Sequence, residues 1–396
     1  MSAPAFEWVC GECGRAYARD AVRYLCPACG PAYVPGAPLR GVLEARFDYH
    51  ELAARWKAGE APARLLCAVE REFHPPYPVG GTPLSRAPRL EAAVGLGDLW
   101  IKNDGQNPSG SLKDRASFLV VAEALRLGER TIVAASTGNA ASALAAVCAA
   151  AGTTAIIYVP RSAPRAKLVQ MVLYGADVRL VDGTYDDAFA LSLHHTAERG
   201  GLNRNTAYHP LTIEGKKTVS LEIFEALGAA PDWIVVPVGD GVIISGVWKG
   251  FHDLLQIGAI DRLPRLVCVQ AERSDAIHRL VTTGVYASAP SPVTIADSIS
   301  VSAPSNALMA KRAIEASDGV SVTVSDAEIL EAQGLLARTT GIFAEPAAAA
   351  SIAALSKVRD RVGGGERVVA LITGHGLKDV DAAAKGIDAR AAGAKA

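Results

Sequence analysis

The chain has 396 residues, half of them apolar and one fifth charged, an ordinary globular composition with room for two or three domains. Forty basic against forty-one acidic residues leave a formal net charge of −1, so the charge balance points to neither nucleic acid nor a membrane as partner. No apolar run reaches the length of a membrane span, and the stretch after Met1 lacks the charged start and apolar core of a signal peptide, so a soluble cytoplasmic protein is expected.

Residues 8–30 read WVCGECGRAYARDAVRYLCPACG. Cys10, Cys13, Cys26 and Cys29 form two C-x-x-C pairs, each on a tight turn with glycine or proline beside it. Two such knuckles bring four sulfurs to one point in the tetrahedron that Zn²⁺ prefers, and the site would be closed and structural. The remaining cysteines, at 67, 148 and 268, are too sparse for a disulfide framework.

From residue 100 onward strand and helix patterns alternate. ERTIVAAST reads as a strand ending in a polar turn, and GNAASALAAVCAAAG as an Ala-rich helix stopped at Gly152. TAIIYVP, APRAKLVQMVLYG, ADVRLVD and TYDDAFALSLHHTAERG continue as strand, helix, strand and helix. DWIVVPVGDG, RLVCVQAE and RVVALITGHG are strands, and the tail after Asp381 is a fraying helix. Such alternation predicts parallel sheets covered on both faces, with functional groups collected at the carboxyl ends of the strands.

Three of those ends carry polar or glycine turns: Ser136–Asn139, Gly239–Gly241 and Thr373–Gly376. STGN opens a helix, so its free N–H groups suit a carboxylate or phosphate. PVGDG offers a second anion cradle, and TGHG a hydroxyl from Thr373. A fourth motif, NPSGSLKDRAS, sets Lys113 at the mouth of another helix. Lysine condenses with carbonyls when its surroundings favour the neutral amine. One lysine, two anion sockets and a hydroxyl suit pyridoxal 5'-phosphate together with an amino-acid substrate.

In these blocks the sequence resembles threonine synthase and its relatives among fold-type II pyridoxal-phosphate enzymes, from GGTPL at Gly80 to LITGHGLKD at Asp379. EGKKT (Glu214–Thr218) and FAEPAAAAS (Phe343–Ser351) are close to the family's EGQKT and EPASAAS. The resemblance implies an α/β protein of tryptophan synthase β-like fold, with two parallel-sheet domains plus an N-terminal zinc ribbon. The expected boundaries are 1–35 for the ribbon, 36–114 and 221–385 for a large cofactor-binding domain, 115–220 for a smaller mobile substrate domain, and 386–396 for the tail. Lys113 is the implied Schiff-base residue, and Asn139 the partner of the cofactor's 3′-hydroxyl. Ser136, Thr137 and Gly138 are expected to face the substrate carboxylate. Gly239, Asp240, Gly241, Val242 and Ile243 are expected at the cofactor phosphate, and Thr373 beside the pyridine nitrogen. A hydroxyl there weakens the electron sink and suits elimination or replacement over transamination. A homodimer is also implied.

Three departures bear on the substrate. The family's arginine two residues before EGQKT is Thr212 here, the first asparagine of its GNAGN loop is Asp240, and an arginine in a later block gives way near Ser300. Tyr208 and His209 lie along the expected substrate segment, with Lys216, Arg204 or His209 as candidate replacement cations. Two readings stay open: a threonine synthase converting O-phospho-L-homoserine to L-threonine and phosphate, or a paralogue acting on another amino acid. The paralogue would catalyse β-elimination (dehydratase or ammonia-lyase) or β-replacement (cysteate synthase-like). A zinc-ribbon binding module with a dead site would have no need of Lys113, Asn139 and Thr373.

Overall fold

The computed structural model describes residues 5–161, 165–290 and 292–393. Strands β1 (Phe6–Cys10), β2 (Ala16–Ala18) and β3 (Leu43–Phe47) form an antiparallel sheet of order β2-β1-β3. β4 (Leu84–Arg86) and β5 (Asp98–Asn103) precede four further strands: β6 (Thr131–Ala135), β7 (Thr154–Pro160), β8 (Asp177–Val181) and β9 (Leu202–Asn203). These four make a parallel sheet of order β8-β7-β6-β9. β10 (Trp233–Pro237), β11 (Arg265–Ala271), β12 (Val320–Val324) and β13 (Arg367–Ile372) join β5 and β4 in a six-stranded sheet of order β12-β11-β10-β13-β5-β4. It is parallel except for the antiparallel edge strand β4. All five residues of β10 are buried, as expected for a central parallel strand covered on both faces.

Every strand and helix expected from residue 130 onward is present. The Ala-rich helix runs Asn139–Ala151 and stops at Gly152, which adopts φ +64°, a left-handed conformation that spares glycine a Cβ clash. TYDDAFALSLHHTAER forms the helix Tyr185–Arg199 behind a Thr184–Asp187 capping box. APRAKLVQMVLYG gives Arg165–Leu173, its start lying outside the described residues. The tail is helical over Val380–Gly393. Among the described residues no helix is long and apolar enough to cross a membrane.

The expected junctions differ from the observed elements. The N-terminal module runs past residue 35, because β3 pairs with β1 along its whole length. The junctions at 114/115 and 220/221 fall inside the continuous helices Lys113–Arg126 and Leu211–Leu227. A helix cannot be cut between domains without breaking its hydrogen-bond ladder, so each moves as one piece.

Three helices meet where the site is built. A Cβ on Gly215 would lie 2.3 Å from the Arg115 carbonyl, so Leu211–Leu227 touches Lys113–Arg126 backbone to backbone. A Cβ on Gly246 would lie 2.7 Å from Lys216 Cβ, which presses the same helix onto Val242–Gln256. Alanine at either position would force the helices apart.

Candidate active site

Sheet order brings the nominated turns together. β10 and β13 are parallel neighbours, so the turns 238–241 and 373–376 leave the same edge side by side. β13 also pairs with β5, which brings in the loop before Lys113. Leu112 N–H donates to the Thr373 carbonyl and His375 N–H to the Gly110 carbonyl, both at 2.9 Å. Lys113 and Thr373 therefore share one wall.

Lys113 is the first residue of its helix and half-buried. Its Nζ has no hydrogen bond or ion pair among the described residues. Burial pushes its pKa below the ordinary lysine value, against the pull of Asp240 and Glu345, while Arg204 and Lys167 add to the push. A lysine poised toward its neutral form is a nucleophile and a base.

The opposite wall comes from the four-stranded sheet. Ser136 Oγ accepts the Gly138 N–H at 3.1 Å, while the N–H groups of Thr137, Asn139 and Ala140 find no acceptor among the described residues. These free donors sit at the N-terminus of a thirteen-residue helix, where the backbone dipole favours an anion. Asn139 Nδ2 reaches across to both carboxylate oxygens of Glu345, at 2.8 and 3.0 Å, and to Ser298 Oγ at 3.2 Å. A carboxylate only accepts, so it fixes the amide's orientation. Asn139 Oδ1 is left buried without a donor, an acceptor aimed at nothing the chain supplies.

In the glycine loop Asp240 Oδ1 accepts the Val242 N–H at 3.0 Å, and the Asp240 carbonyl accepts the Asn306 N–H at 2.9 Å. Gly241 has φ +88°, and a Cβ there would meet the Asn306 carbonyl at 2.9 Å; only glycine turns this corner. A Cβ on Gly239 would meet Ile299 Cα at 2.9 Å. Val242 and Ile243 open the following helix and are buried.

β9 lies beside β6, and Ala135 N–H donates to Asn205 Oδ1 at 2.7 Å, so the loop 204–209 adjoins the STGN turn. Arg204 is 2 % exposed. Its Nε donates to Ser117 Oγ at 3.1 Å, and its Nη2 is buried with no partner. Burial brings its pKa down to about 10, opposed by Asp240 and Tyr185. Lys216 is also 2 % exposed and has no hydrogen bond or ion pair among the described residues. Burial pushes it well below the ordinary value against the pull of Asp240, with Lys113 and Arg204 adding to the push. Its neighbour Lys217 is the contrast, paired to Asp253 at 2.8 Å and to Glu214. Lys217 belongs to the fold, and Lys216 is a buried cation in want of an anion.

The other nominated substrate residues point elsewhere. Thr212 Oγ1 donates to the Thr206 carbonyl and Ser300 Oγ to the Pro292 carbonyl. Tyr208 stacks on Tyr24 of the N-terminal module, centroids 4.5 Å apart, and His209 meets the same ring edge-on at 5.6 Å. His209 is 3 % exposed, and its Nδ1 accepts the Leu211 N–H at 3.2 Å. Burial holds its pKa down at about 4 from an ordinary 6.5, with Glu123 opposing. The unfolded chain takes up that proton near 6.5 and the folded chain not until about 4, so stability is lost as pH falls through this window. Urea titrations at about pH 7 and pH 5 should differ by about 2 kcal/mol on this account. A His209→Asn variant should lose that part of the slope, and an unchanged slope would contradict it.

Sequence reasoning passed over Lys167 and gave Glu345 no role. Lys167, 1 % exposed, pairs with Asp297 at 2.6 Å and lies 3.6 Å from where a Cβ on Gly138 would stand. Its position on an ordinary surface-patterned helix gives no local signal. Away from this cleft, the Sγ atoms of Cys10, Cys13, Cys26 and Cys29 all lie within 4.8 Å of one another, Cys13 and Cys26 at 3.8 Å. Four sulfurs at about 2.3 Å around a tetrahedral Zn²⁺ would stand about 3.8 Å apart.

Comparisons with known proteins agree with this geometry. The family described as pyridoxal-phosphate dependent enzymes matches residues 76–374. Threonine synthase of Methanosarcina acetivorans is 38 % identical over 389 residues, 93 % of this chain and 91 % of that protein. Threonine synthase of Mycobacterium tuberculosis is 40 % identical over 309 residues, 77 % of this chain and 84 % of that one. Among solved structures, threonine deaminase isoform 2 of Solanum lycopersicum superposes with a TM-score of 0.70 at 21 % identity, covering 86 % of this chain and 94 % of that one. Diaminopropionate ammonia lyase of Escherichia coli superposes at 0.67 with 15 % identity over 98 % of both chains. At these identities the structural matches speak for the fold alone. The chain belongs to the threonine synthase family of pyridoxal-phosphate-dependent enzymes and is a threonine synthase-like lyase acting on carbon–oxygen bonds.

Proposed function

We propose that the chain converts O-phospho-L-homoserine and water to L-threonine and phosphate. The observation that carries this reading is the pair of buried cations Lys216 and Arg204, which have no ion pair among the described residues and share Asp240 as an acidic neighbour. Two such groups cost stability unless a strong anion arrives, and a phosphorylated amino acid brings one. They supply the positive charge that the family keeps at the positions of Thr212 and Ser300. The aspartate in the glycine loop does not favour a cationic substrate, because its carboxylate accepts the Val242 N–H and already interacts electrostatically with Lys113, Lys216 and Arg204.

The donor set fits pyridoxal phosphate. Asn139 Oδ1 is an orphaned acceptor suited to a phenolic O–H, the glycine loop opens the helix Val242–Gln256 whose N-terminus suits a phosphate, and Lys113 Nζ is free. Bound there, the cofactor supplies an electron sink for charge developing at the substrate's Cα. Lys113 would hold the cofactor through its aldehyde, and its amine, poised toward the neutral form, would serve as the base for the proton on the substrate's Cα. The N–H groups of Thr137, Asn139 and Ala140 bind the α-carboxylate and orient that C–H bond. Thr373 would offer its hydroxyl to the cofactor's ring nitrogen, and Lys216 with Arg204 would hold the phosphate ester. Closure of the STGN wall over the substrate excludes water until hydration.

For the cysteine module we propose structural Zn²⁺, supported by the convergence of four sulfurs. Cys10→Ser or Cys26→Ser should lower bound zinc and the melting temperature while the cofactor's visible absorption persists. Full zinc retention in both variants would sink the assignment.

The test of the reaction is release of inorganic phosphate and formation of threonine when cofactor-loaded protein meets O-phospho-L-homoserine. A visible spectrum that shifts with other amino acids while this substrate gives no phosphate would favour the paralogue.

A further inference from the structure

Loop 203–209 carries Arg204, and its backbone is not relaxed. Thr206 has φ +24°, a conformation that β-branched residues avoid, and its Oγ1 is buried without a partner. Strain of this kind persists only when the surroundings hold it. One support comes from the small sheet, where Arg204 N–H donates to the Val133 carbonyl at 2.8 Å, and a second from helix Leu211–Leu227, where Thr212 Oγ1 donates to the Thr206 carbonyl.

The third support comes from the N-terminal module. Tyr24 lies between Cys13 and Cys26, and its Oη accepts the Asn203 N–H at 3.0 Å, one residue before Arg204. Its ring stacks on Tyr208 at 4.5 Å with a 25° interplanar angle and meets His209 edge-on at 5.6 Å. One side chain therefore grips the loop at both ends, at 203 and at 208–209, on either side of the strained residue. We infer that Tyr24 is a positioning residue for the active site: through this grip, the cysteine module sets where Arg204 stands in the anion pocket. The inference rests on the reading of Arg204 as a ligand of the substrate's phosphate.

Docking of the module does not depend on Tyr24. Arg19 pairs with Glu70 at 2.7 Å and Glu123 at 3.0 Å, and Arg126 with Asp20 at 2.5 Å. Removal of the Tyr24 ring should loosen the loop and leave the module in place. A cavity of about 500 Å³ beside the ring, lined by Tyr33, Phe189 and Leu193 among others, gives the loop room to move.

The test compares Tyr24→Leu, Tyr24→Phe and Arg204→Gln in the cofactor-loaded full chain, reading KM and kcat for O-phospho-L-homoserine, the inhibition constant of inorganic phosphate, zinc content and the visible spectrum. Tyr24→Leu should raise KM and the phosphate inhibition constant by about ten-fold, since misplacing a binding group by an ångström is costly. Its kcat, zinc content and visible band should stay within two-fold of the wild type, roughly the scatter that additivity allows for distant sites. Tyr24→Phe keeps the stack and loses the acceptor, so its KM should fall between the two. An unchanged KM in Tyr24→Leu overturns the inference, as does a loss of kcat, zinc and KM together. If the leucine variant does not fold, an unchanged KM in Tyr24→Phe overturns it instead. An unchanged KM in Arg204→Gln refutes the reading of Arg204, and with it the route through which Tyr24 acts. A raised KM in Arg204→Gln beside an unchanged Tyr24→Leu sinks the inference alone.

Discussion

Lys113→Ala is expected to abolish turnover and the visible absorption of bound cofactor together while leaving the fold intact. The side chain contributes nothing to the scaffold: its Nζ has no partner among the described residues, and the turn before it is held through Leu112 N–H on the Thr373 carbonyl. Alanine is the better helix former at the first position of Lys113–Arg126, and it removes a cation whose proton burial disfavours. The melting temperature of the apoprotein should therefore hold or rise slightly. Turnover should fall by at least about 10³-fold, because one group serves as both covalent tether and base. Lys216 is the internal control, a second unpaired lysine, fully buried and within electrostatic reach of the first. A visible band that survives in Lys113→Ala and disappears in Lys216→Met would transfer the tether to Lys216 and falsify the assignment.

The parts of this site that could be read from sequence share a property. Lys113, Ser136–Asn139, Gly239–Ile243 and Thr373 each lie in a short turn at a strand end or helix start, so local pattern and position in the fold coincide. What escaped is tertiary. Glu345 acquires its role from Asn139, 206 residues earlier in the chain, and Lys167 from Asp297, 130 residues away. Tyr208 and His209 were expected along the substrate segment, but sequence does not say which side chains face inward. Arg204 bonds Ser117 and leaves Nη2 buried without a partner, while Tyr208 and His209 turn back onto Tyr24. The domain junctions were drawn at motif edges, whereas helices Lys113–Arg126 and Leu211–Leu227 run straight through them.

Lys216 sharpens the question of substrate, because its two expected effects have opposite signs. The family block EGQKT carries glutamine at this position and an arginine four residues earlier; this chain carries Lys216 and Thr212. Positions i and i+4 share a helix face, so the exchange moves a cation along the same face by one turn. Buried without an ion pair among the described residues, that cation costs the empty protein free energy whether it stays charged or gives up its proton. Lys216→Met keeps the volume and removes the cost, so the apoprotein should melt higher, by roughly 1 °C for a gain of about 1 kcal/mol in a chain of this size. With the phosphorylated substrate the same change removes one partner of a buried charge pair, a loss of about 2–5 kcal/mol, or about 30-fold to several thousand-fold in kcat/KM. Arrival of the phosphate raises the amine's affinity for its proton, so wild-type binding should also take up a proton from solution. A drop in melting temperature would mean that the lysine already has a partner. A weakened visible band with unchanged KM would place the cofactor's phosphate on Lys216 and leave the substrate's to Arg204 alone. Higher stability and lower activity in one variant is what a residue kept for its ligand should show.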